Sequence, residues 1–270
     1  MRIGVIGAGQ LGGTLATWCA ESGHEVAVTS RHPERLREQV DRMNGKLRVM
    51  SVTQAASFGE MVIFAPNWSG AKDAIDLTRS ALEGKVVLDA TNPADGAPSA
   101  GGFSAGGFSA GAFTGAFGGG GFSGTSTGAS TGAFTGASVK SAEAIAAAVN
   151  GPPSEAADRM LARAGGKSGL ETLIEWAPGA HWAKAFNTIS TDVLSRRRGH
   201  DPLLAEFVCT DERDARDAAC QIIRDLGFAP FYAGGAKAAR LTETGGPLQS
   251  REVDVQDATD ALADALAGLR

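Results

Sequence analysis

The sequence is short of the residues that many chemistries demand. Its three cysteines, Cys19, Cys209 and Cys220, are odd in number, lack metal-ligand spacing and sit in or beside apolar helix or strand patterns. Buried free thiols in a reducing cytosol are the better reading. The four histidines form no Cys/His metal pattern, and neither a Gly-x-Ser-x-Gly elbow nor a phosphate-binding Walker loop is present. No apolar run approaches the ~18 residues of a membrane span. The opening "MRIGVIGAG" starts a strand within two residues of Met1 and leaves no room for a signal peptide, so a cytoplasmic protein is expected. Basic charge is also limited: Lys and Arg total 25 against 30 Asp and Glu, for a net charge of −5. That balance argues against broad binding of nucleic acid or of an anionic membrane.

One absence is local. No charged residue occurs between Gly96 and Val139, where "GGFSAGGFSAGAFTGAFGGGGFSG" repeats and Phe103, Phe108, Phe113, Phe117 and Phe122 recur every four or five positions. Gly, Ser and Ala bury too little apolar surface to offset the entropy of ordering, so a disordered low-complexity insertion is expected over 96–140. Two other readings stay open. Regular aromatics in such a background can act as weak self-association points, and a position just after the strand "KVVLDA" suits a lid.

Around that insertion the chain alternates regularly. Strand-like runs are "RIGVI", "EVAVT", "LRVMSV", "EMVIFA" and "KVVLDA", then "HWAKAFN", "LLAEFVCT" and "FAPFYA". Helical patterns fall at Gln10–Glu21, Pro33–Met43, near Gln54–Phe58, and at Ser69–Leu82. Beyond the insertion they fall at Ser141–Val149, Ser154–Ala164, Thr191–Arg197 and Asp211–Leu226. Pro33 suits a first helical turn, "SGLE" at Ser168–Glu171 reads as a capping box, and Asp211 is placed to cap the helix that Gly227 ends. The last segment, Val255–Leu269, sets Ala258, Leu262, Ala265, Leu266 and Leu269 on one face, to pack on the body or, in a homodimer, on a second subunit.

Continuous apolar strands separated by helices imply an α/β, Rossmann-type, doubly wound and mainly parallel sheet, with a small C-terminal substrate-side lobe. The expected division is a nucleotide-binding core over 1–95, the insertion over 96–140, the rest of the α/β fold over 141–252 and a closing helix over 253–270.

The first strand runs into "GAGQLG", that is Gly7-x-Gly9-x-x-Gly12. Alone the pattern is weak, but here it follows a strand, opens a helix and precedes a second strand. Gly7 permits the tight turn, Gly9 lets the backbone approach a pyrophosphate and Gly12 lets the helix lie close on the strand. Gln10 and Leu11 open the helix, whose first turn offers free N–H groups and a positive dipole end to phosphates.

The end of the second strand normally carries an acid that grips a ribose. Here it reads "TSRHPER", with Ser30 and Arg31, and no acid occurs from Val26 to Pro33. A carboxylate would repel a 2′-phosphate, whereas a guanidinium binds one bidentately, aided by the Ser30 hydroxyl and the nearby Arg35. NADP(H) is the cofactor expected.

In open parallel sheets the second ligand also sits at the carboxyl ends of strands. Those ends supply Ala65, Pro66, Asn67 and Trp68, then Thr91, Asn92 and Pro93, then Asn187, Thr188 and Ser190. The groups are neutral hydrogen-bonding ones with no acid–base dyad, so no catalytic residue is assigned. Asp89 reads as a structural strand-end carboxylate. Trp68 could stack on a flat ring or pack at a helix start, and Lys184 could point to either face. His181 lies at the wrong end of its strand to serve the cofactor. Hydride transfer between two bound redox groups needs alignment more than a protein nucleophile.

Taken together, "GVIGAGQLGGTLA", "TSR", "VVLDATNP", "AKAFNTI" and "IIRDLGFAPFYAGGAKAARLTE" resemble the NADP oxidoreductases that depend on coenzyme F420, a deazaflavin. The likeness covers 1–95 and about 169–243. It implies reversible hydride exchange between NADP(H) and the deazaflavin as small-molecule redox partner. It also implies that Ala65, Pro66 and Asn92 border the cofactor, and that Asn187, Thr188, Gly234 and Gly235 line the substrate side. The sequence departs from the family in the insertion, in "AGGAKAAR", and in the polar stretch after Glu243. Two alternatives stay open: an NADPH-dependent reductase of another organic or metal substrate, and a non-catalytic NADP(H)-binding sensor.

Overall fold

The computed structural model describes residues 1–29, 40, 45–93, 161 and 166–268. Ser30, Arg31, Arg35, the Gly/Phe-rich insertion and the helix expected at Ser141–Val149 lie outside them. The helices expected at Pro33–Met43 and Ser154–Ala164 are described only at Val40 and Leu161.

Among the described residues eight strands form one sheet: β1 (Arg2–Ile6), β2 (Glu25–Thr29), β3 (Leu47–Val49), β4 (Met61–Phe64), β5 (Val86–Asp89), β6 (His181–Lys184), β7 (Ala205–Cys209) and β8 (Ala229–Gly234). Their order is β3-β2-β1-β4-β5-β6-β7-β8. Every neighbouring pair is parallel except β6 and β7, which meet antiparallel at Lys184 and Cys209. The doubly wound, mainly parallel expectation is met. Strand order reverses between β1 and β4, which is where such sheets open a crevice.

Among the described residues the helices with full bounds are α1 (Gln10–Glu21), α2 (Val52–Phe58), α3 (Ala71–Leu82), α4 (Gly169–Trp176), α5 (Thr191–Arg197), α6 (Arg213–Asp225), α7 (Ala239–Thr242) and α8 (Val255–Ala267). Leu15 and Cys19 of α1 and Ala219, Ile222 and Ile223 of α6 join Ile3, Val5 and Val208 in one core layer. Ile75 of α3, Leu173 of α4 and Ala258 of α8 join Val62, Val87 and Phe207 in the other. Both faces are therefore covered, which explains why the central strands read as unbroken apolar runs.

Local signals operate as expected at several ends. Ser168 and Glu171 form a full capping box on α4, and Ser51 with Gln54 forms another on α2. Two expectations need correction. Glu212, not Asp211, stands at the N-cap of α6, while Asp211 is packed against Gly235. The sixth strand stops at Lys184 instead of running through Asn187, because Phe186 turns to φ 61° and leaves the sheet. The apolar face of α8 lies on the body of the chain, with Ala258 and Ala265 buried.

Candidate functional site

The glycine loop fills the notch where strand order reverses. Ala8 N–H donates to Thr29 O at 3.0 Å, and Ala65 N–H donates to Ile6 O at 2.8 Å, tying the loop to the ends of β2 and β4. Gly7 has φ 95°, and a Cβ there would lie 2.6 Å from Ala65 O and Pro66 N. A Cβ at Gly12 would lie 1.9 Å from Gly7 O. These two glycines are required by the protein's own packing.

Gly9 is different. Its φ of −72° suits any residue, and among the described residues nothing lies within 4 Å of where its Cβ would be. The space beside it is open, as backbone approach by a ligand would need. Gly9 is also the N-cap of α1, with no side-chain cap and no acid in the first turn. The first N–H groups of α1 thus keep their capacity for an anion. Leu11 packs against the core, and Gln10 Nε2 donates to Asp192 Oδ1 at 3.3 Å, linking α1 to α5.

At the ends of β5 and β6 two asparagines meet across 95 positions of chain. Asn92 Nδ2 donates to Asn187 O at 2.7 Å, and Asn187 Nδ2 donates to Asn92 Oδ1 at 3.2 Å and to Thr242 O at 3.0 Å. Thr188 O accepts from Ser250 N at 2.8 Å. Asn187 and Thr188 are only 5% and 3% exposed, yet Asn187 Oδ1 and Thr188 Oγ1 have no hydrogen-bond partner among the described residues. Buried orphan polar atoms are uncommon. A polar ligand would satisfy them.

Beneath this edge lies a buried charge cluster. Lys184 Nζ sits 2.5 Å from Asp89 Oδ2 and 3.4 Å from Glu243 Oε1, and donates to Thr91 O at 2.8 Å. Burial alone would lower the Lys184 pKa, but the carboxylates of Asp89 and Glu243 outweigh it and hold the pKa above its ordinary value. Asp89 Oδ1 accepts from Thr91 N–H and Oγ1, and Glu243 accepts from Gly169 N and Leu170 N at the start of α4. The structural reading of Asp89 fits, and Lys184 points inward. Glu243 was not singled out from the sequence, because nothing local marks its partners 59 and more positions away.

Other expected site residues resolve into packing. Gly234 adopts φ 137°, and a Cβ at Gly235 would fall 2.1 Å from Asp211 Oδ1, so neither glycine needs a ligand to explain it. Among the described residues no hydrogen bond joins them to Asn187 or Thr188. Trp68 stacks on Trp176, centroids 5.7 Å apart and 27° between planes. His181 pairs with Glu212 at the opening of β6. Burial pushes the thiols of Cys19 and Cys209 up to about 12 and that of Cys220 up to about 11. Among the described residues no His/Cys/Asp/Glu group could hold a metal ion, and no helix is long and apolar enough to cross a membrane.

The glycine loop, the strand ends and the fold now meet a family pattern. Residues 2–93 match the family model of the coenzyme F420-dependent NADP oxidoreductases. The match is confined to residues 2–93, and over that stretch the chain is similar to NADP-dependent oxidoreductases of that family. A hypothetical protein from Sinorhizobium meliloti superposes with TM-score 0.62 at 21% identity, covering 94% of this chain and 95% of that one. A candidate F420-dependent NADP-reductase from Arthrobacter sp. gives 0.59 at 19%, covering 99% and 95%. A reductive aminase from Aspergillus terreus, solved with NADPH and ethyl levulinate, gives 0.51 at 12%, covering 99% and 62%. At these identities the likeness is one of fold.

Proposed function

We propose that this oxidoreductase exchanges hydride between NADP(H) and a deazaflavin of the coenzyme F420 type. The observation that carries the cofactor half is the open space at Gly9, a glycine that the protein's own packing does not require. Gly7 and Gly12 shape the loop, Gln10 and Leu11 open α1, and the free N–H groups of its first turn hold the pyrophosphate. Ser30, Arg31 and Arg35 receive the 2′-phosphate, on the sequence argument alone. Ala65 and Pro66 form the wall under the nicotinamide half, and Asn92 anchors the next loop through Asn187.

When bound, the nicotinamide supplies a hydride donor and acceptor carbon. The residues of the chain orient and desolvate. Asn187 and Thr188 offer the second ring two buried acceptor oxygens, one of which can also donate. Gly234 and Gly235 support that side indirectly, through their packing on Asp211 and Ala238. The cluster of Asp89, Lys184 and Glu243 keeps the strand ends in register without touching either ligand.

Mixing the protein with NADPH and coenzyme F420 and following the deazaflavin and nicotinamide absorbances tests the reading. Loss of both bands with wild type, and much weaker turnover with Gly9→Ala, is the expected result. Oxidation of NADPH by an imine or another acceptor but not by F420 would move the substrate class while keeping the cofactor. Failure to bind either pyridine nucleotide would overturn the whole reading.

A further inference from the structure

Two neighbouring side chains in the turn after β6 each bury a polar atom and give it nothing to bond. Asn187 Oδ1 and Thr188 Oγ1 have no hydrogen-bond partner among the described residues. Glu206 in β7 is also fully buried with both carboxyl oxygens unpartnered, but burial pushes its pKa up to about 8 and so keeps it uncharged at neutral pH. An amide or a hydroxyl has no such way out. Its orphan oxygen needs a partner.

The neighbours of Asn187 decide which atom of its amide is left over. Asn92 comes first: its Nδ2 donates to Asn187 O at 2.7 Å, and a backbone carbonyl can only accept. Asn92 Oδ1 is thereby the atom turned to the Asn187 amide, and it accepts from Nδ2 at 3.2 Å. Thr242 closes the second side. Its carbonyl accepts from Asn187 Nδ2 at 3.0 Å, and its hydroxyl, which donates to Ala239 O at 2.8 Å, accepts from the same Nδ2 at 3.3 Å. Turning the Asn187 amide over would set its oxygen against three acceptors. The partners are braced in turn, because Thr91 O and Glu243, each next in chain to one of them, are held by Lys184. Asn187 Oδ1 is an obligate acceptor in a fixed place.

We infer that this pair reads an amide edge on the acceptor ring: Asn187 Oδ1 takes a ring N–H and the Thr188 hydroxyl donates to the carbonyl beside it, with Asn92 and Thr242 as positioning residues. The chemistry required is a neutral N–H next to a C=O. A lone carbonyl or an anionic edge leaves Oδ1 unsatisfied, and the buried carboxylates of Asp89 and Glu243 disfavour added negative charge. The imide edge of a deazaflavin has the pattern, and so has the carboxamide of a nicotinamide. Sheet order favours the acceptor ring. The glycine loop sits at β1 and β4, whereas Asn187 follows β6, two strands beyond β4.

The inference rests on the proposed function where it names the acceptor ring, and not where it concerns the lock on Asn187. Side-chain NMR of the full chain tests the lock. The Asn187 Nδ2 protons should exchange with solvent at least tenfold more slowly than those of the exposed Asn67, and Asn92→Ala should erase most of that difference. Equal exchange at Asn187 and Asn67 in wild type overturns the inference whatever the enzyme reduces.

Two ligand analogues test the edge. With NADPH as donor, F420 methylated at the imide nitrogen should show a KM at least tenfold above that of F420. Asn187→Ala should bring the two within threefold, and Thr188→Val should raise the KM for F420 about tenfold, with the Kd for NADPH within twofold of wild type in both. The acetylpyridine analogue of NADPH, in which a methyl replaces the carboxamide NH2, should keep the same Kd ratio to NADPH in wild type and Asn187→Ala. Collapse of that ratio in the variant would assign the edge to the nicotinamide and sink the acceptor assignment. Equal KM values for F420 and its methylated form in wild type, with the acetylpyridine ratio unmoved, overturn the inference. Should Asn187→Ala fail to fold, the wild-type KM ratio and Thr188→Val decide in the same sense. A wild type that leaves F420 unreduced fails the proposed function; a locked Asn187 with a collapsing acetylpyridine ratio would then uphold the amide reading, and a locked Asn187 without it would overturn that reading.

Discussion

The Asp89 carboxylate and the Lys184 ammonium meet 2.5 Å apart with neither side chain exposed, one strand over from each other at the edge that faces the proposed ligands. Such a pair adds little net stability when intact, but breaking it strands a charge in the core. Lys184→Met should therefore cost about 3–5 kcal/mol, measured by urea unfolding. Adding Asp89→Asn to that variant should recover part of the loss. A single substitution costing under about 1 kcal/mol would show that the cluster is not closed to water.

Gly9 and Gly12 should separate folding from binding. A methyl at Gly12 meets the Gly7 carbonyl at 1.9 Å, so Gly12→Ala should lose about 1–3 kcal/mol of stability. Gly9→Ala has room, and its melting temperature should stay within a few degrees of wild type. Its NADPH affinity, read by fluorescence titration, should fall at least about tenfold, or ~1.4 kcal/mol. Equal affinity for Gly9→Ala and wild type would mean that the open space holds no pyrophosphate.

Cofactor preference should reside in the segment after β2. Arg31→Asp removes a charge-assisted contact and adds repulsion, so NADPH binding should weaken by about 1.5–3 kcal/mol or more while NADH binding changes little. Calorimetric titration with both nucleotides is the measurement. A parallel loss for the two would place the 2′-phosphate elsewhere.

Stability should depend on pH through Glu206. Its folded pKa is raised from 4.5 to about 8, so the folded state holds a proton that the unfolded chain releases. The contribution is fully present below about 4.5 and is lost progressively as pH rises through about 8. Glu206→Gln should flatten that decline in a thermal-melt series between those values. Identical slopes for the two proteins would mean that Glu206 is ionised in the fold.

The three thiols should be silent in the native state. Buried and pushed to about 11 or 12, Cys19, Cys209 and Cys220 should resist a chromogenic disulfide reagent at pH 8 until denaturant is added. Rapid native labelling of even one would show that its core layer opens.

Much of the architecture is local in origin and was legible. The unbroken apolar strands, the capping box at Ser168 and the Gly7–Gly12 loop each follow from neighbours within a turn or a strand. Where reading failed, the cause was a distant partner. Asp211 has the right chemistry for a helix cap, but Gly235 packs against it and Glu212 takes the position. "HWAKAFN" looks like one strand, but the left-handed turn at Phe186 is held by Phe228, Asn92, Thr242 of α7 and Ser250 after it. Glu206 did leave a sign: one carboxylate in an otherwise apolar strand, the kind of residue that needs an explanation wherever it is buried.

The sequence by itself determined the parallel α/β plan, the nucleotide loop and the expectation of NADP(H), because these depend on periodicity, on glycine sterics and on the charge of one short segment. Only the tertiary structure decided that Asp89, Lys184 and Glu243 share one buried cluster, that Asn92 and Asn187 clasp each other, and that Gly9 stands free while Gly7 and Gly12 are packed. Apart from the contact of Gly12 with Gly7, those are meetings of residues tens to more than a hundred positions apart, and their geometry is fixed by sheet order and register, which no local stretch of the chain contains.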